Sequence, residues 1–140
     1  MGYAKTIWLA GALALGKLWA QGPASVWDGI YTQDQAHRGE TLYSQKCASC
    51  HGEKLEGRGQ APPLAGADFM MDWNGMTVGD LFDKMQTSMP ADQPGSLSRE
   101  QNATLLAFIL SANKFPPGAV ELASDGETLR QIRFEAAKGK

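Results

Sequence analysis

The sequence has 140 residues and a formal net charge of −2 at pH 7, with 13 Lys and Arg against 15 Asp and Glu. This length suits one domain with a single core. Apolar residues make up 43% and charged residues 20%, which indicates a globular chain and not a disordered one. The sequence has no run of Lys or Arg that could neutralise a line of phosphates, so nucleic-acid binding is not expected.

The first 20 residues have the features of a targeting segment. Lys5 gives a positive start, and an uninterrupted run of apolar and small residues follows as far as Gly16. Because this run is too short to span a bilayer, residues 1–20 are predicted to be a signal peptide that is cleaved after Ala20. An uncleaved anchor lying at the membrane surface is the alternative. Residues 21–140 would then form one exported, periplasmic domain.

Three main helices are predicted from capping patterns and apolar spacing. The first begins at Thr32, where Thr-x-x-Gln has the form of a capping box. The second begins at Thr77 and the third at Ser98, each with Asp or Gln three residues further on. The third is ended by Pro116 and Pro117. Since no strand alternation and no internal repeat is present, the predicted fold class is all-α with long loops.

The segments between and after these helices are expected to be irregular. Residues 52–66 and 87–98 are rich in glycine and proline, so neither can be regular helix. The chain from about Gly118 is predicted to be an extended C-terminal tail that wraps over the surface, with a short turn near 129–134. Gly39 lies inside the first helix, where it costs about 1 kcal/mol relative to alanine. Its presence predicts the close approach of another helix at that point.

Both cysteines of the chain and one of its two histidines lie within five positions: Cys47, Cys50 and His51. At i, i+3 and i+4 near the end of the first helix, the three side chains share one face. Two thioether bonds from this face could hold a flat macrocycle, with the imidazole beneath its central metal. C-x-x-C-H is the pattern of c-type haem attachment. The sequence therefore predicts one covalently bound haem c, with His51 as an axial ligand of its iron.

Other uses of this cluster are less consistent with the sequence. A local disulfide would leave His51 without a role, and a thioredoxin-type redox pair needs a βαβ context that the helix caps contradict. A structural zinc site normally has four ligands, and the other histidine, His37, lies ten residues before Cys47. His37 is expected to be a solvated residue of the first helix.

The second axial position of the iron would be filled by a methionine or left open. Met85 falls on the apolar face of the second helix and is expected to pack in the core. Met89 begins a proline-rich loop, and Pro90 directly after it fixes φ and removes a backbone donor. This is a stiff way to hold a thioether near iron. A thioether ligand favours the ferrous state and raises the reduction potential relative to a second imidazole.

Over about residues 26–134 the sequence resembles the class I monohaem cytochromes c. The resemblance is carried by RGETLYSQKCASCHG, PPLAG, LLAFIL and TSMPADQPGSLS, the last similar to the methionine-ligand loop of short bacterial periplasmic cytochromes, including those found beside quinoprotein dehydrogenases. It implies the cytochrome c fold, with three main helices and long loops around one haem. It also implies that Gly39 and Tyr43 meet Leu105 and Phe108 where the first and last helices cross.

The same resemblance implies roles for individual residues around the haem. Cys47 and Cys50 would bind the haem covalently, and Met89 would be the second axial ligand of the iron. The Pro62 carbonyl would accept a hydrogen bond from Nδ1 of the histidine ligand, which makes the ring a better donor to iron. Trp73 would either reach a haem propionate or pack in the core.

The expected function is that of an electron carrier and not of an enzyme. With both axial positions occupied no substrate can bind the iron, and the sequence offers no convincing set of acid–base residues. The expected partners are redox proteins (a dehydrogenase, a membrane cytochrome complex or an oxidase), with no nucleic acid, no small-molecule substrate and a monomeric state. One alternative is an electron-transfer subunit of a quinoprotein dehydrogenase or terminal oxidase. Another is a haem enzyme or gas sensor, should Met89 not bind the iron.

Overall fold

The structure is a computed structural model that describes residues 22–140. The predicted signal peptide and its cleavage site lie outside the described residues. Within residues 22–140 every regular element is a helix. Extended pairing in these residues is limited to three isolated β-bridges. The prediction of an all-α fold is confirmed. None of the helices in this part of the chain has the length and apolar character needed to cross a membrane.

The described chain contains three long helices, three short ones and a 3-10 turn. The 3-10 turn is Val26–Asp28, and the helices are α1 (Gln33–Lys46), α2 (Ala48–His51), α3 (Ala67–Trp73), α4 (Val78–Ser88), α5 (Arg99–Ala112) and α6 (Gly126–Leu129). The long helices α1, α4 and α5 are the three that the sequence predicts. No capping pattern in the sequence marks α3, because its N-cap residue is a glycine, which has no side chain to accept a capping hydrogen bond.

Reciprocal hydrogen bonds start α4 and α5 where the capping patterns predict. The Thr77 hydroxyl accepts from the Asp80 N–H at 3.1 Å, and the Asp80 carboxylate accepts from the Thr77 N–H at 2.8 Å. Ser98 and Gln101 make the same pair of bonds at the start of α5, at 3.1 and 2.9 Å. Each box satisfies two backbone N–H donors at the start of the helix, where the N–H groups have no intrahelical partner.

The start of α1 is capped differently from the sequence prediction. Thr32 accepts from the Gln35 N–H at 3.1 Å, but the Gln35 side chain does not return to the cap. It is buried, and its amide pairs with the backbone of Leu122, donating to the carbonyl oxygen at 3.2 Å and accepting from the N–H at 2.7 Å. Gln35 therefore ties α1 to the C-terminal part of the chain.

The most extensive helix contact in the described chain joins α1 and α5. At its centre lies Gly39, where a Cβ atom would stand 2.1 Å from the Thr104 carbonyl oxygen and 2.8 Å from the Phe108 Cβ. One turn further on, the Tyr43 and Phe108 rings pack with centroids 5.2 Å apart, and Leu105 is buried. The predicted close crossing at Gly39 is confirmed.

Replacing Gly39 by alanine is expected to lower the free energy of unfolding by about 3 kcal/mol, because the added methyl group overlaps the backbone of α5. Chemical denaturation of the haem-loaded protein measures this loss. Glu40→Ala is the control, since Glu40 is the exposed neighbour on α1 and its loss should change stability by less than about 0.5 kcal/mol. Equal effects of the two substitutions would contradict a close crossing at this position.

The C-terminal part of the chain belongs to the core, so the predicted surface wrap is wrong for residues 122–134. Leu129 and Phe134 have no exposed surface, and Ile132 is 4% exposed. The Phe134 ring packs edge-on against Phe69 and Phe115, with centroids 5.9 and 5.3 Å away. The buried residues come from a short helix and from loops, so they leave no periodic pattern in the sequence.

Candidate functional site

The three residues of the C-x-x-C-H pattern lie where α1 ends and α2 begins. Cys47 is both the C-cap residue of α1 and the N-cap residue of α2, while Cys50 and His51 are the last two residues of α2. Two backbone hydrogen bonds of 2.9 Å hold this turn, from the Cys47 N–H to the Tyr43 carbonyl and from the His51 N–H to the Cys47 carbonyl. The Tyr43 hydroxyl donates to the Gly52 carbonyl at 2.7 Å, which fixes the end of α2. The local sequence therefore places both thiols and the imidazole on one turn.

The two cysteines form no disulfide with each other. Both are free thiols, Cys47 half-buried and Cys50 exposed. Burial, and secondarily the neighbouring Cys50, raises the pKa of the Cys47 thiol to about 11. Among residues 22–140 no group of three or more His, Cys, Asp or Glu is placed to hold a metal ion. His37 is exposed on α1, as expected.

His51 is buried and its ring is oriented by a single backbone group. Its Nδ1 atom lies 2.8 Å from the Pro62 carbonyl oxygen. A carbonyl can only accept, so Nδ1 carries a proton, and in the neutral imidazole Nε2 is then the nitrogen with the free lone pair. No described residue hydrogen-bonds to Nε2. This is the protonation pattern of a histidine that is ready to bind a metal through Nε2.

The loop that carries Pro62 is held on both sides. On the near side, the Gly57 N–H donates to the His51 carbonyl at 2.7 Å. On the far side lies Asn113, the C-cap residue of α5. Its side chain donates to the Leu64 carbonyl at 2.9 Å and accepts from the Gly66 N–H at 3.1 Å. Sequence reasoning did not identify Asn113, because the residues it joins are more than 45 positions apart and no local pattern links them.

Met89 is the C-terminal cap of α4 and opens the loop that follows. Its N–H donates to the Met85 carbonyl at 3.1 Å, so the last turn of α4 places it. The Met89 carbonyl accepts from the Gly95 N–H at 3.3 Å, and the Pro90 carbonyl accepts from the Gln93 N–H at 2.9 Å. Met89 and Pro90 are half-buried, and Met85 is 8% exposed in the core.

Trp73 ends α3 and is half-buried against the core. Its ring lies 6.5 Å from that of Phe69, which is itself buried. A contact of Trp73 with a haem propionate stays a prediction.

Met71 is 72% exposed and Met76 41% exposed, so the protein chain does not bury either thioether.

Comparison with known proteins defines the class of this protein. The family model described as cytochrome c oxidase, cbb3-type, subunit III matches residues 34–109, which is more than half of the chain. The match covers the C-x-x-C-H turn, the Pro62 loop and the methionine at position 89. The chain belongs to this family of c-type cytochrome domains, and its cofactor is a covalently bound haem c.

Two curated relatives match parts of the chain. The cbb3-type cytochrome c oxidase subunit CcoP of Azospirillum brasilense is 28% identical over 118 residues, covering 73% of this chain and 39% of that protein. Cytochrome c-554(547) of Halothiobacillus neapolitanus is 55% identical over 31 residues, covering 22% of this chain and 34% of that protein. The matched part thus spans well under two thirds of either relative.

Among solved structures, the crystal structure of the sulfane dehydrogenase SoxCD from Paracoccus pantotrophus is similar to this chain. The TM-score is 0.49 at 25% sequence identity, and the match covers 87% of this chain and 68% of the other.

The residues present fit the covalent haem that the family carries. Two thiols on one turn are the groups that form the thioether bonds, and neither is engaged in a disulfide. The Nε2 lone pair of His51 is directed by the bond from Nδ1 to Pro62. The sequence contains no other cysteines, so it has one C-x-x-C-H pattern and can attach one haem through it.

Proposed function

We propose that this protein is a monohaem electron carrier that passes single electrons between redox proteins. The observation that carries the proposal is the Cys47–His51 turn, with His51 buried and its Nδ1 atom 2.8 Å from the Pro62 carbonyl oxygen. A turn built in this way serves to attach haem and orient one axial nitrogen. Membership of a c-type cytochrome family supports it.

Each site residue has a separate task in this proposal. Cys47 and Cys50 attach the haem through thioether bonds, and His51 binds the iron through Nε2 while Pro62 prevents the ring from turning. Met89 binds the opposite side through its sulfur, and Pro90 restrains the backbone next to it. When bound, haem c supplies an iron centre that takes up and releases one electron.

Two axial protein ligands suit electron transfer better than catalysis. With His51 and Met89 both on the iron, small molecules have no open coordination position. The thioether favours the ferrous state, because a neutral sulfur ligand does not compensate the extra positive charge of the ferric centre. We therefore propose that the protein has no enzymatic activity of its own.

The proposed partners are a dehydrogenase on the donor side and a membrane cytochrome complex or an oxidase on the acceptor side, outside the cytoplasm. The predicted signal peptide in residues 1–20 supports export to the periplasm. We propose a monomer that exchanges partners. A permanent subunit of an oxidase is the second candidate, favoured by the similarity to CcoP, whose name makes it an oxidase subunit. Purification of the untagged protein with its membrane fraction distinguishes the two, since only a subunit stays with an oxidase.

Absorption spectroscopy and potentiometry test the proposed function. We expect a c-type haem spectrum that survives acid–acetone extraction, a one-electron titration curve, and a sulfur–iron charge-transfer band in the near infrared of the ferric protein. The ferrous protein should bind carbon monoxide poorly, since both axial positions are filled. Ready binding of carbon monoxide would contradict the proposal and favour the haem enzyme or gas sensor, whereas pigment that is lost in the organic solvent would contradict covalent attachment of the haem.

A further inference from the structure

The methionine loop, residues 89–97, has few contacts of its own with the core. Its residues 91–96 are all exposed, and Leu97 is the one buried side chain in the loop. The turns within the loop join loop residues to each other and not to the helices. The last turn of α4 places the backbone of Met89, and the path of the loop beyond it depends on what holds the far end at Leu97.

Gln86, on the last turn of α4, joins these two ends. Its Nε2 atom donates to the Leu97 carbonyl oxygen at 3.2 Å, across the whole length of the loop. Gln86 is three residues before Met89, so this bond ties the helix turn that carries the thioether to the far end of its own loop. Gln86 is half-buried, which protects the bond from competition with water.

Asn102, on α5, fixes the orientation of Gln86. Its Nδ2 atom donates to Gln86 Oε1 at 3.0 Å and to the Ser98 carbonyl oxygen at 3.2 Å. The directions follow from the partners: the Leu97 carbonyl can only accept, so Gln86 must present Nε2 to it and Oε1 to Asn102. The helices α4 and α5 are thus joined to the loop end by a chain of two amides.

This arrangement leaves one polar atom without a partner. Asn102 is 1% exposed, and its Oδ1 atom has no hydrogen-bond partner among the described residues. Burying an amide oxygen in this way is unfavourable. The Asn102 side chain is therefore only partly satisfied: its Nδ2 donates to Gln86 and to the Ser98 carbonyl, while its Oδ1 accepts from no described residue.

We propose that Gln86 and Asn102 are positioning residues that keep the Met89 sulfur on the haem iron. The inference rests on the proposed function, in which Met89 is the second axial ligand. The amide chain acts on the equilibrium between a closed methionine loop and an open one, in which the sixth coordination position is free. The two side chains need not touch the haem to have this effect.

Imidazole binding to the ferric holoprotein tests the inference, because imidazole takes the sixth position only when the loop opens. In Gln86→Ala the bonds to Leu97 and Asn102 are both lost, and we expect the apparent affinity for imidazole to rise about tenfold. The sulfur–iron charge-transfer band should disappear at a correspondingly lower imidazole concentration. Gln86→Glu keeps the acceptor for Asn102 but has no donor for the Leu97 carbonyl at neutral pH, so its affinity should rise as well.

Thr77→Ala is the matched control, since Thr77 caps α4 at the end away from the loop and its loss destabilises the same helix. Its affinity for imidazole should stay within about twofold of wild type. An equal rise in Thr77→Ala, or no rise in either Gln86 variant, would overturn the positioning role. A wild-type protein that lacks the sulfur–iron band and binds imidazole as readily as Met89→Ala would instead overturn the axial assignment, and this inference with it.

Discussion

Replacing His51 by alanine is expected to abolish stable haem incorporation. The change removes the imidazole that binds iron and leaves a cavity at a position that is 7% exposed in the native chain. It also frees the Pro62 carbonyl, so the loop of residues 61–66 loses one of its attachments. We expect the yield of haem per polypeptide to fall by about tenfold or more, because cofactor binding and folding are coupled.

The measurement is the absorbance of the pyridine haemochrome relative to total protein, after expression with the export and haem-attachment machinery. His37→Ala is the matched control: it removes the other histidine of the chain, which is exposed on α1, and should leave the haem yield unchanged. A normal haem content and spectrum in His51→Ala would reject the axial assignment. Loss of haem in both variants would show that the effect is not specific to His51.

Replacing Met89 by alanine is expected to keep the covalent haem and lower the reduction potential. Cys47, Cys50 and His51 remain, so attachment is intact. Without the thioether the iron binds water or another small ligand, which stabilises the ferric state relative to a sulfur ligand. We expect a decrease on the order of 0.1 V or more, within the roughly 0.8 V over which axial ligands set haem potentials. Potentiometric titration measures it, and carbon monoxide should then bind readily to the ferrous variant.

Two other methionines serve as controls for this effect. Met71→Ala changes a thioether that is 72% exposed and should alter neither potential nor stability. Met85→Ala removes a core side chain that is 8% exposed; it should lower the free energy of unfolding by about 2–5 kcal/mol while the sulfur–iron band persists. An unchanged potential in Met89→Ala, together with loss of the band in Met85→Ala, would transfer the ligand role to Met85.

Taken together, the contacts give α5 a role on both sides of the proposed haem site. At its C-terminal end Asn113 holds the loop that orients His51. At its N-terminal end Asn102 holds Gln86, and through it the end of the methionine loop. Because α5 is packed closely against α1 at Gly39, the loops next to both proposed iron ligands are attached to the same pair of packed helices. Substitutions at the crossing should therefore disturb the iron ligands as well as the stability.

The helix starts and the C-x-x-C-H turn could be predicted because their determinants are local. A cap acts on backbone groups three residues away, and Cys47, Cys50 and His51 share a face through the helical repeat alone. The Gly39 crossing was also predictable, since a glycine inside a helix is unfavourable unless something approaches it. The expected bond from His51 to Pro62 came from the resemblance to a family and not from local spacing.

The sequence by itself determined the all-α class, the three long helices and the turn that presents two thiols and an imidazole. Only the tertiary structure decided the burial of residues 122–134, the use of Gln35 to hold Leu122, and the amide contacts of Gln86, Asn102 and Asn113. The physical reason is the range of the interactions. Capping and helical faces depend on neighbours within four positions, whereas each of these contacts joins segments whose proximity is set by how the helices pack.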